Sequence, residues 1–251
     1  MKTGLQMPVL PLVLNNYTTD DMKYGLQKTT LIDFPGEVAA TVFVPGCNLR
    51  CPYCHNPEFV TPPFPQDSMF SIEEIEAFLK KRKNVLGGVC ITGGEPLLHT
   101  DISNLIEIIK QQGLKVKLDT NGTIPDRLKE ITVDYIAMDI KTAPNKYKSL
   151  LAPAHDGEKV GKAVRQSAAY IISSGIPHEF RTTAAPGIFN SEDMKEIITL
   201  LTGSQRYVLT HFRPGKTLDP EWAEKDPYPP ETLEKMRDMF REAGINCIIR
   251  E

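Results

Sequence analysis

No stretch of this chain approaches the roughly 20 consecutive apolar residues that a membrane-crossing helix needs, so no helical span and no membrane role are expected. Neither sign of charge dominates. With 29 basic side chains against 32 acidic ones the net charge is −3, which offers a nucleic acid no bulk attraction. Internal repeats, low-complexity tracts and long charge runs are missing as well, which argues against solenoids and charged tails. No secretory h-region is visible, and five cysteines are too few and too unevenly placed for the framework of a small secreted domain. The expectation is a cytoplasmic protein in a reducing compartment. What is present is ordinary for a globular chain: 251 residues, 41% hydrophobic and 24% charged.

Three of the five cysteines fall within eight residues, Cys47-Asn-Leu-Arg-Cys51-Pro-Tyr-Cys54, directly after an apolar run (38–44) and a Pro45-Gly46 turn. The other two, Cys90 and Cys247, have no cysteine near them in sequence. A structural zinc site usually takes four ligands, in two pairs separated by a longer loop. A trio from one short loop suits instead a [4Fe–4S] cluster held by three thiolates, with one iron left for a small molecule. Zinc, with the adjacent His55 as a fourth ligand, stands as the alternative. A disulfide inside the loop would strand an odd thiol.

Elsewhere the pattern alternates. Short apolar runs at 38–44, 88–92, 114–119, 134–140, 178–184 and 206–211 read as strands, with 245–249 as a last one. Between them lie helical periods. Ser71-Ile-Glu-Glu74 has the form of a capping box ahead of Ile72, Ile75, Phe78 and Leu79. Ile102 to Ile109 stop at Gly113, Val160 to Ile172 at Gly175, Met194 to Leu201 at Gly203, and Leu233 to Phe240 at Gly244. Alternation of this kind implies parallel strands joined by right-handed crossovers. Residues 1–22 have no period and read as an N-terminal arm, with 23–251 forming one domain. Cys47, Gly93, Asp119, Asp139, Arg181 and His211 all fall at or just past strand C-termini, where parallel α/β architectures carry their sites.

The cysteine spacing, with Tyr53 just before the third cysteine, resembles the cluster loop of radical S-adenosylmethionine enzymes. Gly93-Gly94-Glu95-Pro96, closing the run 89–92, resembles that superfamily's second motif. Four further stretches look like the glycyl-radical-enzyme activases, and most like the branch that serves anaerobic ribonucleoside-triphosphate reductase. These are Lys28-Thr-Thr-Leu-Ile-Asp-Phe-Pro-Gly36, Tyr53-Cys-His-Asn56, Asp119-Thr-Asn-Gly122 and Met138-Asp-Ile-Lys141. The similarity runs from about Tyr24 into the region of His211, and the last forty residues share the pattern only.

This resemblance implies a partial (β/α)6 barrel with a [4Fe–4S] cluster on Cys47, Cys51 and Cys54, and S-adenosylmethionine beside it. The cofactor's ammonium would lie against Gly93, Gly94, Glu95, Pro96 and Asp119. Lys141 and His211 would face its carboxylate, Asp139 its ribose and Tyr53 its adenine, while His55 and Asn56 would steady the loop or the cofactor. A role for Arg181 with an anion stands open against plain packing. One-electron reduction would cleave the cofactor to methionine and a 5′-deoxyadenosyl radical, which takes a hydrogen atom from a backbone glycine of a partner enzyme. The implied partners are that glycyl radical enzyme and an electron donor such as a flavodoxin or a ferredoxin. The alternatives are another target such as pyruvate formate-lyase, or a small molecule, as for 7-carboxy-7-deazaguanine synthases. Only short loops are expected over the strand ends, which favours a macromolecular substrate.

Overall fold

The computed structural model describes residues 22–152 and 155–250. The arm expected at 1–22 therefore lies, but for Met22, outside the described residues. Eight strands form one sheet in sequence order: β1 (Gly25–Thr30), β2 (Ala39–Val44), β3 (Gly88–Gly93), β4 (Lys115–Thr120), β5 (Tyr135–Asp139), β6 (His178–Ala184), β7 (Tyr207–His211) and β8 (Cys247–Arg250). From β2 to β8 every neighbouring pair is parallel, while β1 runs antiparallel to β2. The six expected strands are all present, and 245–249 yields β8. The addition is β1. Its sequence, Gly-Leu-Gln-Lys-Thr-Thr, is polar and mostly solvent-facing, as a strand at a sheet edge can be, so it leaves no apolar period to read.

The helices are α1 (Ile72–Arg82), α2 (Ile102–Gln111), α3 (Pro125–Glu130), α4 (Gly157–Ser174), α5 (Met194–Leu201) and α6 (Pro230–Glu242). The capping box at Ser71 forms in full: its hydroxyl accepts from the Glu74 N–H (3.3 Å), and Glu74 Oε2 accepts from the Ser71 N–H (2.8 Å). Gly175 ends α4 in the left-handed conformation, φ +75°, that favours glycine there.

The two faces of the sheet differ, and that difference places the site. Val42, Val89, Ile91, Val116, Leu118, Ile136, Met138 and Phe180 pack into the core with Ile75, Leu105, Ile109, Val164, Ile171, Ile197 and Phe240 of the helices. Their alternate neighbours Thr92, Asp119, Asp139, Arg181 and Thr183 turn to the other side and line a cleft. Parallel strands covered on both faces read as unbroken apolar runs. Here every second residue on the inner side is polar because that side is a site rather than a second core.

Candidate active site

The cleft is about 230 Å3, room for a small organic molecule rather than for one water or one ion. It is roofed by the cysteine loop and floored by the C-terminal ends of β3 to β6, with Cys47, Cys51 and Cys54 all on its wall. The loop is a closed unit. The Gly46 N–H donates to the Phe59 carbonyl (2.7 Å) and the Cys47 N–H to that of Val60 (3.1 Å). Within it, the Arg50 guanidinium donates to the carbonyls of Cys47 (2.6 Å) and Leu49 (2.8 Å). Two N–H groups point at the Cys47 sulfur, from Leu49 (3.4 Å) and from the Asn121 amide (3.9 Å). Asn121 is itself held by Asn48 and Thr123.

Gly93 and Gly94 do line the cleft, but the close approach they permit is to protein. A Cβ on Gly93, where φ is +109°, would stand 2.6 Å from the Val44 nitrogen, and one on Gly94 would stand 2.0 Å from the Gly46 carbonyl oxygen. The absence of side chains lets β3 clasp the root of the cysteine loop, through Gly94 N–H to Val44 O and Glu95 N–H to Gly46 O, both 2.8 Å.

Glu95 and Pro96, expected to lie against a cofactor's ammonium, are buried and are not among the residues that line the cleft. Glu95 is 0% exposed, and its oxygens accept from the Leu97 N–H (3.1 Å), the Thr120 hydroxyl (2.8 Å) and the Asn121 N–H (2.6 Å). It ties the end of β3 to the end of β4. Burial pushes its carboxyl up to about 7 against the pull of those hydrogen bonds. Glu95→Gln sets an amide N–H against donors, and such a mismatch in a buried site costs about 1–3 kcal/mol. The expected result is a lower midpoint in anaerobic urea unfolding, and an unchanged midpoint would contradict this role. His211, expected to face the cofactor's carboxylate, also lies off the cleft wall. It stands half-buried at the end of β7, beside Ala184.

The electrostatics of the floor form a chain. Lys117 pairs with Asp119, Asp119 with Arg181 Nη2 (3.0 Å), Arg181 Nε with Asp139 (2.8 Å), and Asp139 with Lys141 Nζ (3.0 Å). The register makes this possible by setting Asp139 directly opposite Arg181. Burial works to raise both aspartates, yet Arg181, joined by Lys117 at one and Lys141 at the other, holds both below the usual carboxylate range. Burial likewise opposes the charge on Lys141, and Asp139 outweighs it, keeping the ammonium protonated. Two carboxylates and two cations, Arg181 and Lys141, thus line a largely buried cleft, with Lys117 paired to Asp119 beneath it. Arg181, left open between an anion and plain packing, makes ion pairs with both aspartates. Lys117, which the sequence reading passed over as part of a strand, belongs to the same chain.

A segment that sequence reading also missed covers the cysteine loop from outside. Residues 212–229, between β7 and α6, are long for a connection. His55 donates to the Arg213 carbonyl (2.8 Å) and stacks near Phe212, the Asp219 N–H donates to the Pro52 carbonyl (2.9 Å), and Lys216 pairs with Glu58 (2.8 Å). Trp222 packs against Tyr53, ring centroids 5.8 Å apart. The expectation of short loops only is therefore wrong here. Asn56 lines the cleft; His55 also reaches its wall while engaging this strap.

The residues present fit an iron–sulfur cluster with a small cofactor. Among the described residues no three His, Cys, Asp or Glu side chains converge on one metal ion. A cuboidal cluster asks for no such convergence, since each thiolate binds its own iron. The Tyr53 side chain lines the cleft, with its hydroxyl buried beside the Cys51 thiol. Burial pushes the Cys47 thiol up to about 12 and the Cys51 thiol to about 11, so metal loading must displace their protons.

Comparison with known proteins agrees with this geometry. Residues 41–201 match the Radical SAM superfamily, and the chain belongs to it. Membership implies a [4Fe–4S] cluster and S-adenosylmethionine. A Methanocaldococcus jannaschii protein provisionally assigned as a glycyl-radical enzyme activating enzyme is 30% identical over 232 residues, 90% of this chain and 94% of that one. Pyruvate formate-lyase-activating enzyme of Clostridium pasteurianum is 33% identical over 47% of this chain and 51% of its own length. A Methanopyrus kandleri 7-carboxy-7-deazaguanine synthase is 33% identical over 43% and 51%. Among solved structures, Streptococcus suis SuiB bound to S-adenosylmethionine superposes with a TM-score of 0.59 at 17% identity, covering 82% of this chain and 48% of SuiB; this similarity is one of fold.

Proposed function

We propose that this chain is an activating enzyme that places a glycyl radical on a partner enzyme, and that the partner is an anaerobic ribonucleoside-triphosphate reductase. The observation that carries the reading is the span of one match. Similarity to the M. jannaschii activating enzyme runs over 94% of that protein, whereas the pyruvate formate-lyase-activating enzyme match covers 51% of its own length and the 7-carboxy-7-deazaguanine synthase matches cover from 34% to 76% of theirs. The reductase as target is supported by the activase-like stretches at 28–36, 53–56, 119–122 and 138–141.

In this reading Cys47, Cys51 and Cys54 would hold the cluster, and a flavodoxin or a ferredoxin would be the electron donor. When bound, the cluster and S-adenosylmethionine supply a one-electron cleavage and the hydrogen-abstracting chemistry that follows from it. The protein's own residues bind and orient. Asp119 offers a carboxylate to the cofactor's ammonium and Lys141 an ammonium to its carboxylate, while Asp139 serves the ribose hydroxyls. Tyr53 and Asn56 close the wall, and the 212–229 strap keeps water from the cysteine loop. The test is product formation without oxygen. With reduced protein and S-adenosylmethionine, 5′-deoxyadenosine is expected to accumulate in proportion to added reductase. Turnover driven by a small molecule with no partner present would contradict the reading.

A further inference from the structure

Lys117 is the only lysine among the described residues whose side chain is buried, at 1% exposed. It stands on β4, opposite Cys90 of β3 and two residues before Asp119, on the inner side of the sheet but one layer beneath the cleft, which it does not line. Its ammonium has two neighbours, the Asp119 carboxylate and, at 3.6 Å, the Cys90 sulfur. A buried ammonium is costly, and an apolar side chain of the same size is often the more stable choice at such a position. Packing alone therefore does not account for a lysine here.

The geometry of Asp119 does. Its second oxygen meets Arg181, but Arg181 is shared with Asp139, so Arg181 alone would serve two buried carboxylates. The groups facing Asp119 are Cys90 of β3, Lys117 of β4, Asp139 of β5 and Arg181 of β6, with Lys141 beyond Asp139 and Asp33 of the β1–β2 loop beyond Cys90. Of these, Lys117 is the cation that Asp119 does not share with another carboxylate. We propose that Lys117 is a positioning residue for S-adenosylmethionine: from behind the cleft it supplies the counter-charge that lets Asp119 meet the cofactor's ammonium as a fixed anion. The inference rests on the functional reading above, and concerns a residue outside its binding wall.

The experiment is anaerobic equilibrium binding of S-adenosylmethionine to cluster-loaded protein across a pH series. As pH falls from about 8 to about 6, Asp119 is expected to add no pH dependence in the unsubstituted protein, because an aspartate held low by cations does not titrate there, while Glu95, pushed up to about 7, titrates in every variant alike. Lys117→Met removes one of the two cations holding Asp119 down, so its pKa rises. Binding should weaken about 10- to 100-fold, as for loss of one partner of a buried charge, and weaken further as pH falls. In an Asp119→Asn background, adding Lys117→Met should cost little more, since the route through Asp119 is already cut. Lys117→Gln, which keeps a donor and loses the charge, should acquire the same pH dependence and carries the test if the methionine variant does not fold. In the lysine variants, an affinity and pH profile equal to those of unsubstituted protein, or losses that add in full to that of Asp119→Asn, would overturn the inference alone. No binding by cluster-loaded unsubstituted protein would overturn the functional reading itself, and this inference with it.

Discussion

Alanine in place of Cys47, Cys51 or Cys54 is expected to leave a protein that holds no complete cluster and forms no 5′-deoxyadenosine. Cys90→Ala and Cys247→Ala should keep both. The three loop thiols share one cleft, and neither of the other two cysteines lies on its wall to replace a missing ligand. Cys90 sits one layer lower inside β3 against Lys117, and Cys247 is fully buried in β8, where a free thiol behaves as a small hydrophobe. The measurement is iron and sulfide content with the visible absorption spectrum after anaerobic reconstitution. A full cluster in any of the three loop variants, or its loss from either of the other two, would contradict the ligand assignment.

The second large effect is expected at Arg181. Among the described residues its guanidinium is the only cation that pairs with both Asp119 and Asp139, at 3.0 and 2.8 Å. Arg181→Met keeps much of the stem and leaves two carboxylates facing one another across adjacent strands. Breaking a buried pair by removing one partner costs about 3–5 kcal/mol, or roughly a hundredfold to a few thousandfold in affinity. S-adenosylmethionine binding should fall by that order while the cluster spectrum persists, because the ion pairs of Arg181 are with the cleft floor and not with the cysteine loop. Lys141→Ala should cost less, since Asp139 keeps Arg181. Equal binding by Arg181→Met and unsubstituted protein in an anaerobic titration would refute the charge chain.

What the sequence made legible was what is encoded locally. The cysteine loop is readable because its three thiols fall in one short segment, and the glycine pair because a tight clasp needs two residues without side chains. Strands β2 to β8 and the five longer helices follow from apolar period and from local stops such as Ser71 and Gly175. What stayed hidden depends on pairing across long separations. Lys117 looks like any polar residue in a strand until register sets it behind Asp119, and Arg181 acquires its role only when β6 lies beside β5. The tie that Glu95 makes is hidden for the same reason, because its partners Thr120 and Asn121 are supplied from the end of the next strand. The strap at 212–229 has no period, and nothing in its own sequence says that Asp219 will meet Pro52 or that Trp222 will meet Tyr53. Strand β1 escapes a periodicity reading for a simpler reason: Gln27, Lys28 and Thr29 in its middle all face solvent.

The most direct measurement is an electron paramagnetic resonance spectrum of reduced protein, S-adenosylmethionine and anaerobic ribonucleoside-triphosphate reductase mixed without oxygen. A doublet from a glycyl radical on the reductase is expected, collapsing when the reductase carries glycine deuterated at the α-carbon, with 5′-deoxyadenosine formed alongside. A doublet only on pyruvate formate-lyase would contradict the proposed target. No doublet on any glycyl radical enzyme, with efficient cofactor cleavage in the presence of a small molecule, would contradict the activating function itself.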